Sequence, residues 1–282
     1  MLVLCITAVF MLVELVGGWI ANSLALMADA GHMLSDVAAL GLSAFALWFA
    51  RRPATPGKTY GYMRIEILAA LVNGTTLILI AAVIIWQAWV RFREPQEVQG
   101  ALMLAVAGAG LLVNISAAFL LHSSAGHNLN LRGAYLHVLG DLLGSIGAIA
   151  AAALILTTGW MAADPLISVI VALLILGGAW RLVRESVDVL LEAVPRHIDL
   201  EAVHRAIMSI PGVEAVHDLH IWTLTSGYLA MSGHAVIQDP ARHQETIGDV
   251  HDAMHREFGI RHVTVQIEHK PFVALERKSP SA

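Results

Sequence analysis

The stretch LMADAGHMLSDVAAL (residues 26–40) reads as membrane-spanning helix, yet it carries Asp29, His32 and Asp36. An ionisable group in hydrocarbon costs roughly 2.5–3.5 kcal/mol on the insertion scale, so a span that keeps three of them uses them. His32 and Asp36 are four apart, which on a helix turns both the same way, one turn from each other. The same H-x-x-x-D spacing recurs as His137 and Asp141 in AYLHVLGDLLGSIG (residues 134–147). Two antiparallel helices that each offer an imidazole and a carboxylate make an N2O2 tetrahedron if those faces meet, and that donor set suits Zn2+. Gly140, Gly144 and Gly147, with Ala30, Gly31 and Ala38, would let the two backbones approach closely. A single His or Asp in a span is as often a packing hydrogen bond; two copies of one spacing in two spans favour a metal. Depth is the difficulty. Counted from the outer helix ends at about 1.5 Å per residue, His32 lies shallower than Asp141, so the pairs meet only if the boundaries shift or the helices tilt.

Composition supports the membrane reading. Hydrophobic residues make up 57% of the 282 and charged residues 14%, with a mean hydropathy of +0.69. Ordinary soluble domains run near 25% charged. The long apolar runs fall in residues 1–193, whereas ten of the fourteen histidines fall after them. A formal charge of −5 offers no basic patch, so nucleic acid is not an expected partner. The one cysteine, Cys5, rules out an intramolecular disulfide framework. The first apolar run lacks a charged leader and more spans follow it, so it is not read as a cleavable signal. The abrupt start MLVLC leads us to expect a short cytoplasmic arm before it.

Six segments are long enough, or nearly so, to cross the roughly 30 Å hydrocarbon layer. They lie near Leu2–Ile20, Leu24–Ala50, Ile65–Val90, Ala101–Leu121, Ala134–Leu156 and Pro165–Leu182. Arg51, Arg52, Lys58 and Arg64 follow the second segment, Arg132 precedes the fifth, and Arg181 and Arg184 follow the sixth. On the other side, Arg91 and Arg93 are offset by Glu94 and Glu97. The positive-inside rule then places both termini in the cytoplasm. Loop charge does not identify the membrane, and the expected setting is a multi-pass protein of the plasma (inner) membrane.

Residues 194–270 change period. DLEAVHRAIMSI is helical, VEAVHDLHIWTLT and YLAMSGHAVIQD alternate as strands about Ser226-Gly227, ARHQETIGDVHDAMHREFG is an amphipathic helix closed by Gly259, and RHVTVQIEH is a last strand. The expected fold class is therefore an α-helical membrane protein of six transmembrane helices followed by a small cytoplasmic αββαβ domain, with a flexible tail over 271–282.

Across SLALMADAGHMLSD, YGYMRIEILAALVNG, HVLGDLLGS, DPLISVIVALLI and HDLHIWTLTSG the chain resembles the cation diffusion facilitators, in particular their zinc-transporting branch. The resemblance implies a homodimer with ferredoxin-like cytoplasmic domains that exports Zn2+ in exchange for protons. It places the transport site on His32, Asp36, His137 and Asp141. It places a cytoplasmic regulatory zinc site on His217, His234 and Glu268, and His243 and His262 lie close enough to these along the sequence to be further candidate ligands. It also implies a charge pair between Arg64 and Glu192 near the membrane edge. Strand alternation puts His234 and Val236 on one face, which suits a site at the sheet edge. Lys58 stands where many relatives have a histidine, so no metal is expected in that loop.

Protons and Zn2+ compete for the same lone pairs, so such a site couples the two without a separate proton wire. Cd2+, Co2+, Ni2+ and Fe2+ stay open as substrates, because an N2O2 set excludes none of them. An intramembrane zinc hydrolase would need an open coordination position and a general base, and neither helix offers a Glu in the H-E-x-x-H arrangement. A metal sensor with a membrane anchor would need no ligands at mid-membrane depth. Asn73 and Asn114 read as packing hydrogen bonds, Glu14 as a residue that could line the ion path, Asp29 as one that orients the site or attracts the cation without binding it, and Asp164-Pro165 as the N-cap and first residue of the sixth helix. His122 and His127 make at best a weak capture site, and His197, His204, His220, His251 and His255 read as surface or structural residues.

Overall fold

The computed structural model describes residues 2–50, 52–125 and 129–269; the side chains of Asp36 and of residues 120–140, His137 among them, lie outside the described residues, as does the segment 271–282. Six long helices come first: α1 (Leu2–Ala21), α2 (Leu24–Ala50), α3 (Ile65–Arg93), α4 (Gly100–Ala125), α5 (Leu129–Thr158) and α6 (Ala163–Leu190). They are followed by α7 (Leu200–Met208), β1 (Val213–Thr225), β2 (Tyr228–Ile237), α8 (His243–Phe258) and β3 (His262–Glu268). Five of the six long helices run past their apolar segments, and α2 matches its own. α6 continues eight residues beyond Leu182 through Arg184 and Glu185, because those residues favour helix as well as the apolar ones do. Hydropathy marks the hydrocarbon, not the end of the helix. Among the described residues, α3, α6 and the Asp141–Thr158 part of α5 are long and apolar enough to cross a membrane, whereas the apolar stretches Ala8–Ala21 and Gly100–Ser116 are shorter.

The chain divides into two compact units, residues 1–49 with 68–184, and residues 50–67 with 185–282. The first is an all-helical bundle with an alanine-rich core. Ala21, Ala25, Ala107, Ala148, Ala151 and Ala152 share one cluster with Leu26, Met103 and Ile155. A second cluster joins Leu24 and Ala28 of α2 to Ala81, Ile84 and Ala88 of α3 and Val171, Ala172 and Ile175 of α6. Glycine sets the closest approaches: a Cβ at Gly17 of α1 would stand 2.7 Å from Val106 Cγ2 of α4, and one at Gly74 of α3 would stand 2.8 Å from Val183 Cγ2 of α6. The outside is apolar, with Trp86, Leu79, Leu112 and Leu174 more than 60% exposed. In water such a belt would aggregate; in a bilayer it is the lipid-facing surface.

The second unit holds a three-stranded sheet in the order β1-β2-β3, with β1 antiparallel and β3 parallel to the central β2. Ser226-Gly227 makes the β1–β2 turn, with Gly227 at φ 72°, a left-handed conformation open to glycine. Asp199 caps α7 by accepting from Glu201 N at 3.0 Å, and Gly259 closes α8 at φ 67°. Val203 and Ile207 of α7, Val250 and Met254 of α8, and Ile221 and Met231 of the sheet form its core. The αββαβ order is the one the alternating periods require. The 50–67 segment belongs to this unit: Arg64 reaches Glu192, Glu66 accepts from the hydroxyls of Thr225 and Ser226, and the ring of Tyr60 lies 5.7 Å from that of His262.

Candidate metal centre

In the bundle, α2 and α5 bring His32 and Asp141 together, with Nε2 and Oδ1 3.9 Å apart. A tetrahedral zinc with bonds of about 2.0–2.1 Å sets its ligands roughly 3.3 Å apart, so a closure of about half an ångström puts both on one ion. One turn away on α2, Asp29 is 6% exposed and faces Gly144 of α5, where a Cβ would stand 3.3 Å from its Oδ1. Residues 36 and 137 fall on the same two helices, each four residues from its described partner. A cavity of about 490 Å³ adjoins the pair, lined by Asp29, His32, Asn73, Asp141, Gly144 and Leu174 among others.

The depth difficulty resolves as stagger. Asp29 lies level with Gly144, and Ala25 and Leu26 pack in one cluster with residues 148–155 of α5. From these levels α2 runs five residues to its start at Leu24, while α5 runs fourteen to Thr158. α5 therefore overshoots by nine residues, roughly 13 Å at 1.5 Å per residue. Helix ends that are not level made the count misleading.

Two side-chain bonds tie the site helices to their neighbours. Ser35 Oγ of α2 donates to Asn73 Oδ1 of α3 at 2.8 Å, and Asn114 Nδ2 of α4 donates to Ser145 Oγ of α5 at 3.3 Å. Glu14 is 1% exposed between α1 and α4, with Oε1 2.8 Å from where a Cβ at Gly110 would stand, and it is not among the residues lining the cavity. Asp164 departs from the expected role. α6 already begins at Ala163, and the Asp164 carboxylate turns to α2, accepting from Leu24 N at 2.8 Å and Ala25 N at 3.1 Å.

On the sheet, β1 pairs His217 opposite His234 of β2, and β3 places Glu268 opposite Val236. His217 Nε2 lies 3.1 Å from Glu268 Oε2, and His234 Nδ1 lies 2.6 Å from Glu268 Oε1. One donor atom from each of the three lies within 4.8 Å of the others, and the carboxylate is only 3% exposed. A buried carboxylate needs partners, and two imidazoles that take both its oxygens are also a metal-binding arrangement. The cluster spans all three strands with His234 on the central one, so it is not at the sheet edge. His262 is not part of it: it pairs with Ala230 at the opposite end of β3, roughly 20 Å from Glu268 at 3.3 Å per residue. Closeness along the sequence placed it near Glu268, but an extended strand carries six residues a long way. The ring of His243 lies 6.3 Å from that of His269, outside the group of three.

Sequence reasoning missed Asp218. β1 changes register between His217 and His220, Asp218 takes φ 51°, and its carboxylate lies 3.8 Å from His234 Nε2 and 3.0 Å from His220 Nε2. A bulge of this kind leaves no periodic signal. Arg64 Nη2 and Glu192 Oε1 are 2.6 Å apart.

Two family models match the chain, one described as the cation efflux transmembrane domain over residues 1–191, the other as the cytoplasmic domain of cation efflux proteins over residues 195–270. The zinc transporter ZitB of Escherichia coli (strain K12) is 47% identical over 94% of this chain and 85% of its own length. The cadmium, cobalt and zinc/H(+)-K(+) antiporter of Bacillus subtilis (strain 168) is 45% identical over 92% of this chain and 85% of its own. A solved structure, the metal-bound C-terminal domain of the CzcD transporter from Cuprividus metallidurans, is 40% identical, covers 25% of this chain and 99% of its own, and has a TM-score of 0.24.

Proposed function

The chain belongs to the cation efflux family, with a helical transmembrane domain and a small cytoplasmic α+β domain, and on that premise we propose that it exports Zn2+ from the cytoplasm in exchange for protons. The observation that carries the reading is the approach of His32 and Asp141, one from each H-x-x-x-D turn, to 3.9 Å. Asp36 and His137 complete the ligand set, the six long helices all span the bilayer, both termini lie in the cytoplasm of the plasma (inner) membrane, and the working unit is a homodimer. The relatives named as zinc transporters, and as an antiporter of cadmium, cobalt and zinc, support the ion class and leave Cd2+ as a further substrate.

The coupling is competition for lone pairs. Zinc binds neutral imidazole nitrogens and ionised carboxylate oxygens, and a proton added to any of these atoms removes a ligand. Protons arriving from outside evict the ion; their release to the cytoplasm restores the site. Rocking of the helices around a fixed mid-membrane site exposes it to each side in turn. His217, His234 and Glu268 hold a regulatory zinc on the cytoplasmic domain, and Arg64 with Glu192 pins the 50–67 segment to the chain after α6.

Purified protein in sealed vesicles tests this. Zinc uptake should rise with an imposed pH gradient and carry a counterflow of protons, and His137→Ala and Asp36→Ala should each abolish both. Coupled flux at the parent rate in either variant would show that the ion binds elsewhere.

A further inference from the structure

The end of the bundle that holds the start of α2 is locked by a buried charge network outside the metal centre. Asp164 of α6 is 0% exposed, and its carboxylate accepts from Leu24 N, Ala25 N and Ser23 Oγ, the last at 2.6 Å. The first turn of any helix leaves N–H groups without an intrahelical partner and carries a partial positive charge, so this acid caps α2 from another helix. The end of α1 presents the opposite need. Arg91 of α3 donates to Asn22 O at 2.6 Å and to Asn22 Oδ1 at 2.9 Å. Gln99 donates through Nε2 to Ile20 O at 3.1 Å and through its backbone N to Ala21 O at 2.9 Å. The anion on the α2 start and the cation on the α1 end then meet each other, with Arg91 Nη1 and Asp164 Oδ2 3.5 Å apart.

Five of the six long helices are drawn into this knot or border it directly: α1 and α2 through the Asn22-Ser23 turn, α3 through Arg91, α4 through the Gln99 that precedes it, and α6 through Asp164. Pulling α3 or α6 away would strand a buried charge, which is a strongly destabilising event, and pulling α1, α2 or α4 away would break the neutral hydrogen bonds that hold it. Beneath it, Leu24, Ala28, Ala81, Ile84 and Val171 pack in one cluster. The cavity beside His32 draws on α3 only at residues 73 and 77 and on α6 from Val171 onward, so the knot is on the far side of that packed layer.

We propose that Asp164 is a positioning residue for the transported ion and that the knot it anchors is a fixed joint, staying closed throughout the transport cycle while the helices pivot about it. It acts through α2. The capped turn sets the height and rotation of the helix that carries His32 and Asp36, and therefore how closely His32 meets Asp141. The joint goes beyond the export reading and uses it only for its readout.

The test is zinc transport by the full-length protein in sealed vesicles, alongside the parent. If the parent itself fails to move zinc, the export reading fails and not the joint. Asp164→Asn removes the charge that faces both Arg91 and the helix start while keeping the shape. It should raise the KM for zinc at least about tenfold, more than it lowers the maximal rate per folded protein, since an error of about 1 Å in ligand placement can cost on the order of a hundredfold. A purely structural role would lower the amount of working protein and leave KM alone, and that result overturns the positioning role. Should Asp164→Asn fail to fold, Ser23→Ala, which removes a single donor, should move KM in the same direction by less; an unchanged KM there overturns the positioning role as well. The joint is tested separately with Asp164 intact. In a Cys5→Ala background, Ile20→Cys with Gln99→Cys is bridged by a short bifunctional thiol reagent across the α1 end and the α4 start. The bridged protein should keep its turnover within about twofold of the unbridged one. Turnover lost on bridging and regained on cleaving the bridge would show that this end must part, and the fixed joint would be wrong.

Discussion

Replacing Glu268 by Gln separates metal binding from folding on the sheet. In the parent, each Glu268 oxygen faces an imidazole, at 3.1 Å from His217 and 2.6 Å from His234, and the group is 3% exposed. Glutamine keeps the size and one carbonyl acceptor but cannot supply an anionic ligand. Without metal the variant should lose little stability, because a buried neutral amide costs less desolvation than a buried carboxylate and that offsets the weaker bonds. With metal the two proteins should part. Loss of a supporting group behind a ligand already costs about 10–100-fold in affinity, so loss of a ligand should cost at least about 100-fold, or about 2.7 kcal/mol. Zinc at about 100 times the parent Kd stabilises the parent by about 2.7 kcal/mol and the variant by less than about 0.5. Thermal unfolding of the cytoplasmic unit, followed in the full-length protein with and without zinc, reads this directly. At about 4–8 °C per kcal/mol for a domain of this size, the parent should gain more than about 10 °C and the variant less than about 4 °C. An equal zinc-induced gain in both would mean that His217, His234 and Glu268 do not hold the ion.

Three further outcomes are expected. Arg64→Glu and Glu192→Arg should each lower stability by no more than about 1 kcal/mol, since the pair is 37% and 57% exposed, and the double reversal should recover most of it in a double-mutant unfolding cycle; no recovery would deny the pair. Gly17→Ala forces a Cβ to 2.7 Å from Val106 Cγ2, so it should destabilise the bundle by about 1–3 kcal/mol, and adding Val106→Ala should relieve it, as measured by the detergent concentration that unfolds the protein. Arg242 donates to Glu245 at 3.0 Å and holds that carboxyl below its ordinary value of 4.5, so the bond favours folding above that value and the advantage fades as pH falls through the lowered one. Glu245→Gln should therefore differ from the parent at neutral pH and converge with it in acid; a difference unchanged in acid would point to another cause.

Whatever depends on neighbours along the chain was legible in the sequence. Apolar runs declared the long helices, a change of period after residue 193 declared the αββαβ domain, and Gly259 closed its helix at φ 67° because only a left-handed stop fits there. Spacing made each H-x-x-x-D turn visible, since residues four apart share a helix face wherever that helix lies. Every match between elements, by contrast, came from tertiary packing. The stagger of α2 against α5 brought His32 level with Asp141, and the parallel pairing of β3 beside the central β2 delivered Glu268 to His217 and His234 while carrying His262 away. Asp164 shows the division most plainly. Its place before Pro165 suggested a cap for its own helix, but helix ends are capped by whichever group packing brings near, and here that was the first turn of α2. Local periodicity fixes which elements form and which face each buries; relative height and register come from packing, which no single stretch of chain encodes.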